Sequence, residues 1–189
     1  KHRPSAEHRG KDYVPHVPDA VVASNDPAVY AAFVRGVLEA DGTVTQGVAC
    51  VSTAKESFAD ELRTVMLKSF EPAIREGHAM GVMAAYHEID GIPITDDPFV
   101  LKTILRQEWG FQGFVLSDLG AIRRLYDAHY VAATPKYAAC MAIRSGVDMQ
   151  FYDFDHEVFQ QALMDCVHNG SLPHSDLDRA VRSVLRVKF

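Results

Sequence analysis

Carboxylates that close apolar segments are the first candidates for chemistry in this sequence. Asp118 ends the run Phe114-Val115-Leu116-Ser117. Asp148 follows Val147 and is trailed by Met149, Phe151 and Tyr152. Tyr86, His87, Glu88 and Asp90 lie at and after the end of the run Met80 to Tyr86. Together these types suit a polyhydroxylated substrate. Carboxylates accept hydroxyl hydrogens, Lys and His donate, and an aromatic ring packs on an apolar sugar face. A carboxylate beside a cation stays ionised at neutral pH and can act as a nucleophile. Lys1, His2 and Arg3 would join the set if a strand precedes them. Each group also has a plainer reading. Asp118 would cap the helix that follows it, Asp148 would be buried on backbone amides, and His87 and Glu88 would be a solvated loop. Lys1 and His2 would be a frayed terminus, and Met149 and Met83 would be core. His129, His156, His168 and His174 read as surface helix residues, and no pair has metal-ligand spacing on one face.

The elements that must position these residues follow from periodicity and punctuation. Residues 1–25 read as irregular. Asp26-Pro27 starts a helix with Val29, Phe33 and Val37 on one face, closed by Asp41-Gly42. Residues 43–52 alternate as a strand or loop. Thr53 and Glu56 fit a capping box for a helix carrying Phe58, Leu62, Val65, Phe70 and Ile74 inward, bent at Pro72 and stopped at Gly77. Met80 to Tyr86 and Phe114 to Ser117 read as fully buried strands, with Val147 to Met149 a third, very short one. Helices start at Asp97-Pro98 and at Thr134-Pro135, ending at Gly110 and Gly146. Two more cover 156–168 and 176–188, the last with Ser175 and Asp178 as a capping box and Leu177, Val181, Val184 and Leu185 on one face. Apolar strands between amphipathic helices imply a parallel sheet covered by helices, open or closed into a barrel. Active sites of such folds lie at the C-terminal ends of the strands.

Bulk properties narrow the class. The 189 residues suit one domain but fall short of the roughly 250 of a complete (β/α)8 barrel. A 48% hydrophobic content supports a packed core. The net charge of -6, with no basic block, gives no reason to expect nucleic-acid or anionic-membrane binding. No nucleotide-binding glycine loop occurs. Cys50, Cys140 and Cys166 have neither scaffold number nor metal spacing and read as ordinary buried or semi-buried thiols. No signal peptide or membrane span is visible, and the chain opens on Lys1, so its natural start is expected to be missing. Periplasmic, secreted and cytoplasmic locations all remain compatible.

The stretch Gly81-Val-Met-Ala-Ala-Tyr86-His-Glu-Ile-Asp90-Gly-Ile-Pro93 strongly resembles glycoside hydrolase family 3, the β-glucosidase family. So do Leu101 to Gly110, Phe111 to Asp118, Ser145-Gly-Val-Asp-Met149 and Leu177 to Phe189. The resemblance covers residues 58–189 well and residues 1–16 patchily, while 17–50 reads as a divergent or inserted segment. It implies that residues 1–189 are the C-terminal part of a barrel domain, a partial (β/α)8 TIM-like barrel in the α/β class. By the same resemblance Asp118 is the nucleophile, Lys1-His2 holds substrate hydroxyls and Tyr86 lines the sugar subsite. Met149, at the end of the third strand, joins the substrate-binding set, and Asp90 falls in the same loop as Tyr86 with a structural role. The chain departs from the family at Arg3, where an aromatic is usual, at Leu119, commonly Trp, and at His87, usually Asn.

The implied activity is retaining hydrolysis of terminal non-reducing β-glycosidic bonds, with a β-glucoside or related oligosaccharide as substrate. No cofactor or metal is expected. The family's first barrel strands and its second α/β domain, which supplies the acid/base glutamate in many members, are absent from the chain and expected in the full-length protein. A branch of the family uses a histidine in the loop after Lys-His instead. The loop here lacks that Gly-His pair, with His8, Asp12 and Glu7 as possible substitutes. The alternative is a non-catalytic barrel fragment with a structural or carbohydrate-binding role. An aldolase-type barrel would want a lysine at a strand end, and apart from Lys1 none is so placed.

Overall fold

The structure, a computed structural model, describes residues 16–45, 48–51, 65, 67–89 and 91–189. Lys1, His2, Arg3, Glu7, His8, Asp12, Thr53, Glu56, Phe58, Leu62 and Asp90 lie outside the described residues. The chain divides into two compact units, Lys1–Phe70 and Glu71–Phe189.

In the first unit, α1 (Asp19–Val22) and α2 (Pro27–Asp41) precede an antiparallel hairpin of β1 (Gly42–Thr45) and β2 (Val48–Val51). Asp26 caps α2 as its type and place predict, its Oδ1 accepting from the Ala28 N–H at 2.9 Å. Val17, Val21 and Val65 form a small core, with Val29 and Phe33 packed on it.

The second unit is α/β. Its sheet joins β3 (Gly81–Ala84) to β6 (Phe114–Ser117) in parallel, in the register Gly81↔Phe114 to Ala84↔Ser117. Met149 adds a third parallel position against Leu116. Between them lie a short hairpin, β4 (Glu88–Ile89) with β5 (Ile92–Pro93), and a helix over Phe99–Glu108 wound to π geometry. Four helices follow: α4 (Ala121–Asp127), α5 (Pro135–Ser145), α6 (His156–His168) and α7 (His174–Lys188). Parallel strands need long crossovers, and the π-helix and its flanking loops supply the one between β3 and β6.

Strand faces alternate. Ala84, Val115 and Ser117 point to the covered face and are buried against Ile122, Leu125, Ala138 and Ile143 in one core. The opposite face is open, and Met83 is 54% exposed there. The expectation of fully buried strands is therefore corrected: among the described residues, helices cover one side of the sheet. Asp97 caps the π-helix, accepting from the N–H groups of Phe99 and Val100 at 2.9 and 3.1 Å. Thr134 caps α5 through Tyr137 N–H at 3.1 Å. Gly113 lets the chain enter β6 beside Met80, because a Cβ there would stand 2.1 Å from the Met80 carbonyl oxygen.

Several other expectations are corrected. Phe70 points to solvent, and Pro72 sits in the first turn of a short helix, α3 (Phe70–Arg75), where it starts the helix instead of bending it. The capping box at Ser175 and Asp178 is absent, since α7 begins at His174 behind Pro173 without a side-chain cap. On α7 Ala180 and Ser183 are buried, whereas Val181 and Leu185 are exposed. Cys140 and Cys166 are not free thiols but a disulfide that ties α5 to α6 across a sequence separation of 26. His129 is no surface residue: its side chain is 7% exposed and its Nδ1 meets Glu88 Oε1 at 2.5 Å, which also takes Glu88 out of a purely solvated loop. Among the described residues no helix is long and apolar enough to cross a membrane.

Candidate active site

Parallel register brings three of the expected residues to one end of the sheet. Ala84 and Ser117 are partners, so Tyr86 and Asp118 leave β3 and β6 at the same C-terminal edge. Met149 stands beside them through the Leu116 bridge, with Ser117 N–H donating to the Met149 carbonyl at 2.9 Å. The ladder continues one residue past the strand, because Asp118 N–H donates to the Ala84 carbonyl at 2.9 Å. Alternation sends the Asp118 side chain to the open face, with Leu116. Its Oδ1 accepts from Leu119 N–H at 2.7 Å. The helix-cap reading fails locally, since the residue before α4 is Gly120, in a left-handed conformation at φ 73, and no side chain caps that helix.

Tyr86 closes over this turn. Its hydroxyl donates to the Leu119 carbonyl at 2.5 Å, and the Arg124 guanidinium lies 5.1 Å from its ring centre. Desolvation, and then the negative charge of Asp118, hold the phenol above its ordinary value, so it remains a donor.

Behind the turn is a buried group that no sequence signal singles out. Asp153 accepts from the Ser117 hydroxyl at 2.8 Å and from Arg123 N–H at 3.0 Å. The same Ser117 oxygen accepts from Phe151 N–H at 2.8 Å. Gly120 N–H donates to the Phe151 carbonyl at 3.2 Å. Residues on both sides of Asp118 are thereby tied to the Phe151–Asp153 loop. Burial holds Asp153 above the usual carboxylate range, against the pull of these donors.

Asp148 is buried, but its partners are side chains as well as backbone. Arg106 and Arg179 both bond its carboxylate, and Val115 N–H donates to Oδ2 at 2.8 Å. It braces the sheet from below and does not face the open end. Burial keeps it above the ordinary carboxylate value despite the opposing pull of both guanidinium groups. A cavity of about 450 Å³ opens near the start of β6, lined by Phe111, Arg182 and Arg186 among others. It belongs to the end of the strand away from Asp118. Among the described residues no group of three or more His, Cys, Asp or Glu side chains could hold a metal ion.

Known proteins similar to this chain include glycosidases. A putative β-xylosidase of Formosa agariphila is 37% identical over 120 residues, 64% of this chain and 16% of that protein. A periplasmic β-glucosidase of Salmonella typhimurium is 37% identical over 127 residues, 66% of this chain and 16% of that protein. The crystal structure of a β-glucosidase from Listeria innocua superposes with a TM-score of 0.62 at 26% identity, covering 77% of this chain and 19% of that one. Its complex with glucose gives a TM-score of 0.59 at 32% identity, over 65% of this chain and 16% of that one. The chain thus spans about a sixth of the length of these relatives. Residues 39–187 match the sequence profile described as the glycosyl hydrolase family 3 N terminal domain, and the chain belongs to that family.

Proposed function

We propose that the protein of which this chain is part hydrolyses terminal non-reducing β-glycosidic bonds, with Asp118 as nucleophile and retention of configuration. The observation that carries the reading is the position of Asp118: one residue past a parallel strand covered on one face, with its side chain on the open face, beside Tyr86. In the proposed reaction an Asp118 oxygen attacks the anomeric carbon while a carboxylic acid protonates the departing oxygen. Water then attacks the glycosyl-aspartate and the same acid acts as base. The two carboxyl groups of such a pair stand about 5–5.5 Å apart. Asp153 does not suit the acid role. Its carboxylate is buried and already bonded to Ser117, Arg123 and Phe151.

The strand order β3, β6 and the Met149 position supports reading residues 1–189 as part of a (β/α)8 barrel. Tyr86 and Met149 would line the sugar subsite, and Lys1 and His2 would hold substrate hydroxyls. A β-glucoside or related oligosaccharide is the proposed substrate. A panel of nitrophenyl β-glycosides on the full-length protein, followed by mass spectrometry after a 2-deoxy-2-fluoro-β-glucoside, tests the reading. Turnover of the glucoside and a sugar adduct on the Asp118 peptide are expected. An adduct on another carboxylate would overturn the assignment.

A further inference from the structure

The ladder between β3 and β6 reaches Asp118 N–H and the Ala84 carbonyl, and residues 85–87 belong to no strand. Tyr86 therefore needs bonds from outside the ladder to stay on the Asp118 turn. One set lies directly on its side chain: the hydroxyl bond to the Leu119 carbonyl at 2.5 Å and the Arg124 guanidinium 5.1 Å from the ring centre. Another bond lies two residues on, at Glu88, whose Oε1 meets His129 Nδ1 at 2.5 Å. The His129 side chain is 7% exposed, against 26% for Glu88. An imidazole so buried is costly without a partner, and a carboxylate facing Nδ1 fixes the tautomer that carries its hydrogen there. His129 is in turn seated on α4. Its N–H donates to the Arg124 carbonyl at 2.8 Å, and Arg124 N–H donates to the Gly120 carbonyl at 3.2 Å. The contacts close a circuit. It runs from the Asp118 turn through Tyr86 to Glu88, across to His129, and back along Arg124 to Gly120, two residues past Asp118.

We propose that Glu88 and His129 are a positioning pair: the bond between them fixes Tyr86 against the Asp118 turn and so holds the Asp118 carboxylate in line for attack. This rests on Asp118 being the nucleophile. Neither side chain of the pair need touch the sugar. The bond from Ile94 N–H to the His87 carbonyl, at 3.1 Å, joins the β4–β5 hairpin to itself and moves with it. The Glu88–His129 bond instead joins that hairpin to the end of α4, the helix that starts just after Asp118. Displacing a reacting group by about 1 Å can slow a step about a hundredfold. Sugar binding is shared among several side chains, whereas attack needs one oxygen in line. Loss of the pair should therefore slow the covalent step far more than it weakens binding.

The test uses full-length protein and a dinitrophenyl 2-deoxy-2-fluoro-β-glucoside, which leaves its sugar on the nucleophile. Mass spectrometry follows the labelling rate constant at saturation, the half-saturating concentration and the fraction of protein that labels. His129→Ala and Glu88→Ala should each lower the saturated rate constant about ten- to a hundredfold and change the half-saturating concentration by less than about threefold. The double variant should be no slower than either single one, because the two residues act through one bond. Glu88→Gln still accepts from Nδ1–H and should recover most of the lost rate. Glu88 is the more exposed partner, so Glu88→Ala carries the test if His129→Ala does not fold. A merely structural pair would lower the fraction that labels, or Tm, and leave the rate constant of the labelled fraction unchanged. That result, or additive losses in the double variant, would overturn the proposal. Label on a carboxylate other than Asp118 would overturn the nucleophile reading and the pair's role with it, whereas equal labelling rates on Asp118 in every variant would overturn the pair's role alone.

Discussion

Tyr86 and Leu119, the residue after Asp118, are separated by 33 positions in the chain but meet at one turn, because β3 and β6 run parallel in register. The turn is tied in place by Ser117, whose hydroxyl links it to the buried Asp153. Native Asp153 holds its proton more tightly than the unfolded chain does. Between the ordinary carboxylate pKa, about 3.9, and the higher native value, unfolding releases a proton, so rising pH favours the unfolded state. The stabilisation from this group is complete below the unfolded pKa and is lost as pH passes the native one. Asp96 and Asp148 are shifted the same way, so the readout is a difference. Asp153→Asn should flatten part of the fall in stability above pH 4, measured by denaturant unfolding across pH. Identical pH profiles for variant and wild type would show that Asp153 does not titrate in this window.

At the scale of elements, the sheet is braced by Asp148 between Arg106 of the π-helix and Arg179 of α7. Removing the carboxylate leaves two poorly solvated guanidinium groups facing each other. Asp148→Ala should therefore cost about 3–5 kcal/mol, seen as a lower denaturant midpoint. A loss under about 1 kcal/mol would mean that the network contributes little. Local signals made much of this scaffold legible. Asp26, Asp97 and Thr134 cap helices where their types and a following Pro predict, and the apolar runs at 81–84 and 114–117 are strands. What was illegible depends on tertiary partners. Nothing local in the sequence says that Cys140 and Cys166 face each other from α5 and α6, that Glu88 reaches His129, or that Asp153 lies behind Ser117. The proline before His174 started α7 earlier than the Ser175 pattern suggested, since φ at Pro173 is already set at -58. Tyr86, Asp118 and Met149 were legible as strand-end residues and do converge, whereas Lys1 and His2 lie outside the described residues.

At the scale of the molecule, the described sheet has one covered face and one open face. Met83 and Leu119, each 54% exposed, lie among uncovered apolar groups near the strand ends. Exposed strand edges with apolar surface promote association. The 189-residue chain alone should therefore associate, and sedimentation velocity should show oligomers or aggregate that grow with concentration. A compact monomer with cooperative unfolding would contradict this. The central claim, that Asp118 forms the covalent bond, is tested most directly by Asp118→Asn in the full-length protein. Asparagine keeps the shape and leaves an oxygen able to accept from Leu119 N–H, so the turn should persist and Tm should hardly change. The account predicts that kcat/KM on a nitrophenyl β-glucoside falls by several orders of magnitude, because no other group replaces the covalent step. Near-normal turnover in a folded Asp118→Asn protein would contradict it.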